Sequence, residues 1–290
     1  MYMLDMTWTI AQPVQRSSPI ERFALMVLCA FTVIAVAGFA VFGIHPRLLA
    51  SNAGAMAVYG AAFTVFARGQ VLLAAAALFV VLIRRAGARW LGAFAAVYVV
   101  SLTSELSGTT MGLPFGPYSY TDGLGPKWFG HVPLLIPLSW FLMAVPSYAI
   151  ARTLAAGRGA LARIAVGSFV LLAWDLALDP AMSHATKYWV WGTSGVYYGM
   201  PWLNLAGWYI TGAALMLILS LTRSDRWLDH VPISWLAGFY AANLALSLGL
   251  DAAAQLGGAV VASVIPLLAC AVAVRRDRSA TLSTTPVGAR

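Results

Sequence analysis

Long apolar runs alternate with short polar or basic segments along most of this chain. A helix that crosses a bilayer needs about 20 predominantly apolar residues. The sequence contains eight runs of roughly this length. Their bounds are Phe23–Ile44, Ala55–Ile83, Trp90–Ser107, Val132–Ile150, Leu161–Leu178, Leu203–Leu221, Val231–Ala253 and Leu256–Val274. The pattern predicts an all-α polytopic integral membrane bundle with about eight transmembrane helices.

The first two runs leave alternatives open. Ala55–Ile83 is overlong and contains Arg68, so it is predicted to be either tilted or broken near Arg68-Gly69-Gln70. Phe23–Ile44 has a basic flank and small residues at Ala35-Val36-Ala37, as a signal peptide has. Its length favours an anchor that is retained.

Two stretches between the runs, 108–131 and 179–202, have an unusual composition. The first is too apolar and aromatic for a solvated loop, and too rich in glycine and proline for an ordinary helix. Non-helical backbone at membrane depth persists only where protein buries it or where it lines a cavity. We therefore predict irregular or re-entrant loops on the outer side of the bundle.

Basic residues test this count of spans. If both termini are cytoplasmic, 14 arginines fall on the inner side and only three basic residues, Arg47, Lys127 and Lys187, fall on the outer side. Cytoplasmic loops carry such an excess of positive charge. We therefore predict a multi-pass protein of the bacterial inner membrane, with a cytoplasmic segment 1–22, one transmembrane domain 23–274 and a disordered cytoplasmic tail 275–290.

Composition agrees with a membrane protein and argues against nucleic-acid binding. The chain has 290 residues, of which 61% are hydrophobic and 10% are charged, whereas soluble domains contain about 25% charged residues. The net charge of +8 comes from arginines that stand singly or in pairs between apolar runs. That distribution is typical of topology and differs from a phosphate-binding face.

The sequence suggests no metal or redox cofactor. Cys29 and Cys270 both lie in apolar runs, and the four histidines are never paired at metal-ligand spacing. His184 and Asp179 form the best pair, but no third ligand is spaced to complete a site. We therefore expect no metal and no cofactor.

Three acidic residues stand in or against apolar sequence near the outer ends of their spans: Glu105, Asp175 and Asp179. Asp175 and Asp179 are four residues apart and share a helix face, and Pro180 is predicted to end that helix. Two carboxylates on one face in low dielectric do not both ionise, so one is expected to hold a proton. A protonated acid in an apolar pocket is what protonation of an alkene requires. The structural alternative is that each acid pairs with an arginine or caps loop amides.

Other acids receive structural interpretations. Asp251 forms a stripe with Asn243 and Ser247 on one helix face, for which interhelical hydrogen bonding is expected. The acids in the flanks of the runs are expected to be solvated, and these are Asp5, Glu21, Asp225, Asp229 and Asp277. Aromatic residues crowd the second loop, where they fit either an interfacial belt or a pocket whose ring faces stabilise a cation.

Four segments together resemble the carotenoid 1,2-hydratase family. They are GTTMGLPFGPYSYTDGLG, VPLLIPLSW, WDLALDPAM and YYGMPWLNLAGWY, in this order. The resemblance implies addition of water across the terminal C1=C2 double bond of an acyclic carotenoid end group, as in lycopene or γ-carotene. It implies a carotenoid substrate taken from the lipid bilayer, water as co-substrate, and possible association with other carotenoid-pathway enzymes.

Physical reasoning then gives the residues their expected roles. Asp175 or Asp179 is the acid, and Glu105 orients the water and accepts its proton. The candidate substrate-binding residues are Tyr118, Tyr120, Trp189, Trp191, Tyr198, Asn204 and Trp208. Two other functions remain open: a carotenoid cyclase, which begins with the same protonation, and a proton-coupled transporter. An Asp-rich prenyltransferase is a weaker alternative, because only one such motif is present.

Overall fold

The computed structural model describes residues 15–50 and 52–283. In this part of the chain the helices are α1 (Pro19–Gly38), α2 (Arg47–Ala50), α3 (Ala53–Ala86), α4 (Leu91–Met111), α5 (Leu135–Leu154), α6 (Gly159–Asp179), α7 (Trp202–Leu221), α8 (Asp225–Leu228), α9 (Ile233–Ala253) and α10 (Gly257–Ser283). The strands are β1 (Tyr118–Tyr120), β2 (Lys127–Trp128), β3 (Val132–Pro133) and β4 (Trp189–Trp191). Turns of π-helix continue α1 over Phe39–Gly43 and α6 over Pro180–Ala185.

The prediction of an all-α polytopic membrane protein is confirmed. In the described part of the chain, seven helices are long and apolar enough to cross a membrane: α1, α3, α4, α5, α6, α7 and α9. The eighth predicted span corresponds to α10, whose apolar part, Gly257–Cys270, is shorter than the others. The predicted division into segments stays a prediction, and residues 1–14 and 284–290 lie outside the described residues.

Two local predictions concern the overlong second span and the end of the helix that carries Asp175 and Asp179. Helix α3 is continuous from Ala53 to Ala86, so it is not broken near Arg68. The Arg68 guanidinium instead reaches the loop after α4, where Nε donates to the Gly123 carbonyl at 3.0 Å and Nη2 to the Asp122 carbonyl at 3.2 Å. The α-helical part of the fifth span does end at Asp179, with Pro180 as its C-cap, as predicted. A proline has no N–H to donate, and the chain accommodates it by continuing in the wider π-helical turn to Ala185.

Helix α5 forms the centre of the bundle and α1 lies at its edge. The share of the apolar stretch that is buried is 67% in α5 and 17% in α1. A helix that is hydrophobic on all sides is buried in protein or faces lipid. Helices α3, α4, α6, α7 and α9 pack against α5, which places Trp140, on its second turn, inside the protein.

The beginning of α1 is attached to the end of α3. Ser18 and Glu21 form a capping box, in which each side chain accepts from the other's backbone N–H. Glu21 is only 1% exposed and forms a bidentate pair with Arg85, with N–O distances of 2.7 and 2.8 Å. The prediction that Glu21 is solvated is thus wrong. The capping turn directs its carboxylate inward toward α3, at the end of the bundle that we call the basic end.

At the other end of the bundle, which we call the site end, the loop after α4 folds back into the protein. Two glycines leave the space that this requires. A Cβ at Gly108 would lie 2.8 Å from the Phe115 ring, and one at Gly207 would lie 2.7 Å from the Pro114 carbonyl oxygen. The irregular loop that the sequence predicts is therefore seated between α4 and α7.

Replacing Gly207 by alanine is expected to lower the free energy of unfolding by about 1–3 kcal/mol, because the new methyl group overpacks against backbone. Thermal unfolding in detergent measures this change. Gly60→Ala is the matched control, since nothing lies within 4 Å of a Cβ there. Equal effects of the two substitutions would contradict the close seating of the loop.

Candidate active site

The two loops at the site end meet in a two-stranded antiparallel ribbon. Strand β1 pairs with β4 so that Tyr118 lies opposite Trp191 and Tyr120 opposite Trp189. Successive side chains of a strand point to opposite faces. The ribbon therefore turns these four aromatic residues toward the bundle, whereas Ser119 and Val190 are exposed on its other face. We call these four residues the aromatic face of the ribbon.

Glu105 receives hydrogen bonds from three neutral donors. The hydroxyls of Tyr118 and Tyr120 both donate to its Oε2, the latter at 2.8 Å, and Trp140 Nε1 donates to Oε1 at 2.8 Å. Burial, followed by the adjacent Glu105 carboxyl, raises the pKa of both tyrosines well above the usual value. Both hydroxyls thus remain protonated donors, and the arrangement suits an anionic carboxylate.

Asp175 and Asp179 share one donor, the side-chain amide of Asn204. Asn204 Nδ2 lies 2.6 Å from Asp179 Oδ2 and 3.3 Å from Asp175 Oδ2. Trp189 Nε1, on the aromatic face of the ribbon, donates to Asp179 Oδ1 at 2.8 Å. Asp175 Oδ1 is buried and has no partner in the described part of the protein. The predicted shared face of the two aspartates is thus observed, and Asn204 of α7 joins them.

No cation neutralises these three carboxyl groups among the described residues. The ion pairs found there involve Glu21, Asp122, Asp225 and Asp229. Glu105, Asp175 and Asp179 are nevertheless at most 4% exposed. An ionised carboxylate in such surroundings is strongly disfavoured unless hydrogen bonds compensate. The partners of the three carboxyl groups are tyrosine, tryptophan and asparagine side chains. The alternative interpretation, in which each acid pairs with an arginine, is not observed among the described residues.

The carboxyls stand at one end of an apolar cavity of about 490 Å³. This size is typical of sites for small organic molecules. Glu105, Asp179 and Asn204 line its polar end. Aromatic rings cover much of the wall near them, and Trp140 and Trp208 stack with their ring centroids 4.0 Å apart.

The cavity opens sideways, toward the region that lipid would occupy. Ile34 of α1 and Val58 of α3 line it and are 58% and 70% exposed. Deeper in the bundle the two helices are joined by a hydrogen bond, in which Gln70 Nε2 donates to Thr32 Oγ1 at 3.1 Å. Nearer the site end, the rings of Phe42 and Tyr59 make a second contact, with centroids 5.9 Å apart. We call the exposed cavity surface at Ile34 and Val58 the mouth between α1 and α3, through which an apolar molecule could enter.

Most of the site residues predicted from sequence come together here. The predicted residues that line the cavity are Glu105, Tyr118, Tyr120, Asp179, Trp189, Trp191, Asn204 and Trp208. Asp175 stands behind Asp179 and does not line the cavity. Tyr198 does not line it either, because its hydroxyl packs against Gly258 at the start of α10. The chemical roles of all these residues stay predictions.

Sequence reasoning missed several aromatic residues of the cavity, including three that lie on the same helices or loop as the acids or contact them. Trp140 donates to Glu105, and Phe115 and Trp174 line the same cavity. Trp174 directly precedes Asp175 in the sequence, which is a signal that could have indicated its place. The sequence around Trp140 contains no signal that its side chain points toward Glu105 on α4.

The stripe of polar residues on α9 differs from its prediction. Ser247 and Asp251 are completely buried, and neither side chain has a hydrogen-bond partner in the described part of the chain. Asn243 donates only to the Phe239 carbonyl within its own helix. The expected interhelical hydrogen bonds of this stripe are therefore not observed.

The described residues contain no group of three or more histidine, cysteine, aspartate or glutamate side chains that could hold a metal ion. His184, which the sequence pairs weakly with Asp179, is exposed and contacts the Tyr198 ring.

Fold and cavity define a polytopic membrane protein whose acid groups face an apolar ligand space. Residues 66–271 match the family described as carotenoid biosynthesis protein. This match covers more than half of the chain, and the protein belongs to that family.

One relative has a more specific name. The bisanhydrobacterioruberin hydratase of Haloarcula japonica is 32% identical over 145 residues, which are 49% of this chain and 47% of the relative. The match thus spans about half the length of that protein. No solved structure shows a significant match. The resemblance to carotenoid hydratases that the sequence motifs indicate is confirmed.

Replacing Trp140 by phenylalanine removes only the indole donor to Glu105 and keeps an aromatic ring. We expect a loss of about 2 kcal/mol in the free energy of unfolding, the usual strength of a hydrogen bond to a charged group. Trp227→Phe is the matched control, because Trp227 is equally buried and its Nε1 has no partner among the described residues. Unfolding in detergent compares the two variants, and equal losses would show that the Trp140–Glu105 bond contributes little.

Proposed function

We propose that this protein is a carotenoid hydratase that adds water across the terminal C1=C2 double bond of an acyclic end group. The observation that carries the proposal is the pair Asp175 and Asp179 on one amide donor, at the end of an apolar cavity, with Glu105 at the same end. The family and the hydratase named among its relatives support it. Lycopene or γ-carotene is the proposed substrate, and the reaction needs no cofactor.

Asp179 is the proposed proton donor. It lines the cavity, whereas Asp175 lies behind it, and both contact the same nitrogen of Asn204. Two carboxyls this close in low dielectric hold one proton between them. The Asp179 O–H bond breaks, the π electrons of the alkene form a C–H bond at C2, and a tertiary cation remains at C1. The negative charge that develops is shared by the pair and is stabilised by Asn204 and Trp189.

Aromatic rings surround the place where the cation forms. Trp191, Trp208 and Trp140 line the cavity beside the acids, and the face of an indole ring attracts a cation more strongly than other aromatic faces do. Apolar walls also exclude excess water. They leave the cation in contact with ring faces until a single water reaches it.

Glu105 is the proposed base. Its three donors fix the position of its carboxyl group and favour the carboxylate form, and it lines the cavity. The water oxygen forms a bond to C1 while one of its protons passes to Glu105, which gives a tertiary alcohol at C1. Transfer of a proton back to the aspartate pair through water completes the cycle. The sum is addition of one water, with no oxidation or reduction.

The mouth between α1 and α3 gives the rest of a long substrate a path out of the cavity. The end group occupies the polar end of the cavity, and the polyene passes between Ile34 and Val58 into lipid. We further propose that the basic end faces the cytoplasm, as the arginine distribution predicts, so the site lies toward the outer side of the bacterial inner membrane. Association with other carotenoid-pathway enzymes would allow direct transfer of substrate.

Expression in a host that accumulates lycopene or γ-carotene tests the proposed reaction. The expected product is a carotenoid heavier by one water with an unchanged chromophore, because hydration removes an isolated double bond. Liquid chromatography with mass and absorbance detection identifies it. A product of unchanged mass and shorter chromophore would show that a neighbouring double bond captures the cation, so that the protein is a cyclase. Unchanged carotene, together with uptake of a solute by proteoliposomes, would favour a transporter.

Single substitutions of the three carboxyls test the assigned roles. Asp179→Asn and Glu105→Gln are each expected to lower the hydration rate by about 10²-fold or more, the usual contribution of a general acid or base. Asp175→Asn is expected to have a smaller effect, because Asp175 acts through its neighbour. Asp122→Asn is the matched control, since that carboxyl is exposed, and Lys127 beside it lowers its pKa. Wild-type rates in all three carboxyl variants would refute the mechanism.

A further inference from the structure

A polar stripe runs along α9 beside the cavity. Asn243, Ser247 and Asp251 are spaced four residues apart and therefore share a helix face. Asn243 and Ser247 line the cavity, and Asp251 lies one turn beyond Ser247 toward the site end. The stripe places polar side chains along one wall of an otherwise apolar cavity. The roles proposed for Glu105, Asp175 and Asp179 do not account for these side chains.

The last two members of the stripe have oxygens without partners. Ser247 Oγ and both carboxyl oxygens of Asp251 are buried and form no hydrogen bond to the described residues. Buried polar groups in proteins are nearly always bonded to protein or to ordered water. Thr32 and Gln70, in contrast, satisfy each other across the cavity floor. The unpartnered oxygens therefore indicate a binding place for a small, strongly hydrogen-bonding molecule.

This place is connected with the acid pair. Leu250, next to Asp251, packs against Ala181 in the π-helical turn that directly follows Asp179. The Tyr197 hydroxyl donates at 2.6 Å to the carbonyl of Leu176, which adjoins Asp175. Burial, and then the charges of Asp251 and Asp175, raise the pKa of Tyr197. Tyr197 therefore lies between the two groups of acids, and it is partly exposed at the site end.

We propose that Ser247 and Asp251 bind the water consumed in the reaction and deliver it to the cavity from the site end. This inference depends on the proposed function. Ser247 Oγ would contact the water at the cavity wall, and Asp251 is a positioning residue that holds it or a preceding water. An apolar end group offers these oxygens no partner. A metal ion is disfavoured, because the described residues place no third ligand beside Asp251.

Deuterium separates water delivery from proton donation. In D₂O the acid places deuterium on C2, and the resulting cation has two fates. It captures water and becomes product, or it loses a proton and returns to an alkene, part of which retains deuterium. The ratio of deuterated recovered substrate to hydroxylated product therefore measures water capture, independently of how fast the acid works. The experiment uses the full chain in lipid nanodiscs with lycopene or γ-carotene, and mass spectrometry as the readout.

Ser247→Ala is expected to raise this ratio about tenfold, the effect of one lost hydrogen bond of ordinary strength, while product formation falls. Asp251→Asn is expected to change the ratio in the same direction. Asp179→Asn should instead lower deuterated substrate and product together. Ser147→Ala is the matched control, because that hydroxyl is also buried and unpartnered among the described residues but does not line the cavity.

An unchanged ratio in Ser247→Ala overturns the inference, and so does a change equal to that in Ser147→Ala. If Asp251→Asn fails to fold, Ser247→Ala decides alone, since it removes a single oxygen atom. A wild-type protein that gives neither hydroxylated product nor deuterated substrate refutes the proposed function itself. A wild-type protein that hydrates the carotene while both stripe variants keep its ratio refutes only the delivery of water by α9.

Discussion

The buried carboxyl groups of Glu105, Asp175 and Asp179, beside which the described residues place no cation, impose the main constraint on this structure. A buried charge that lacks partners destabilises a protein by several kcal/mol, so each carboxyl requires donors from other segments. These donors come from β1, β4, α5 and α7, which contribute the tyrosine, tryptophan and asparagine side chains described above. The acids on α4 and α6 therefore determine where the loops and the neighbouring helices pack.

The same donors also form the walls of the cavity. Trp140 illustrates the double use, since its N–H satisfies Glu105 while its ring stacks on Trp208. A lysine or arginine would have balanced the charge more strongly, but it would have fixed the acids as permanent anions. Neutral donors compensate a carboxylate and leave its proton exchangeable. The contacts that stabilise the buried carboxyls are thus the same ones that the proposed acid–base chemistry would use.

Features that depend on local pattern could be predicted from the sequence. The seven long spans follow from apolar length, and the shared face of Asp175 and Asp179 follows from their spacing. The ribbon could not be predicted, because its strands have three residues each and pair Tyr120 with Trp189 across two helices. Glu21 was assigned to solvent because its partner, Arg85, is 64 residues away. The mouth likewise depends on how α1 and α3 pack against each other, which is a tertiary property that neither helix shows alone.

The attachment of α1 to α3 determines from which side of the membrane a hydrophobic molecule would enter the cavity. The two helices are joined at the basic end by Glu21 and Arg85 and at mid-depth by Thr32 and Gln70, and the ring of Phe42, just after α1, contacts that of Tyr59 on α3. The exposed cavity residues Ile34 and Val58 both lie in the half of the bundle toward the site end. A hydrophobic molecule in the membrane would therefore reach the cavity from one leaflet and not from the other. A hydroxylated product would return to that leaflet with its new polar end closest to the headgroups, so the geometry of two helices would also set the orientation of a pigment in the bilayer.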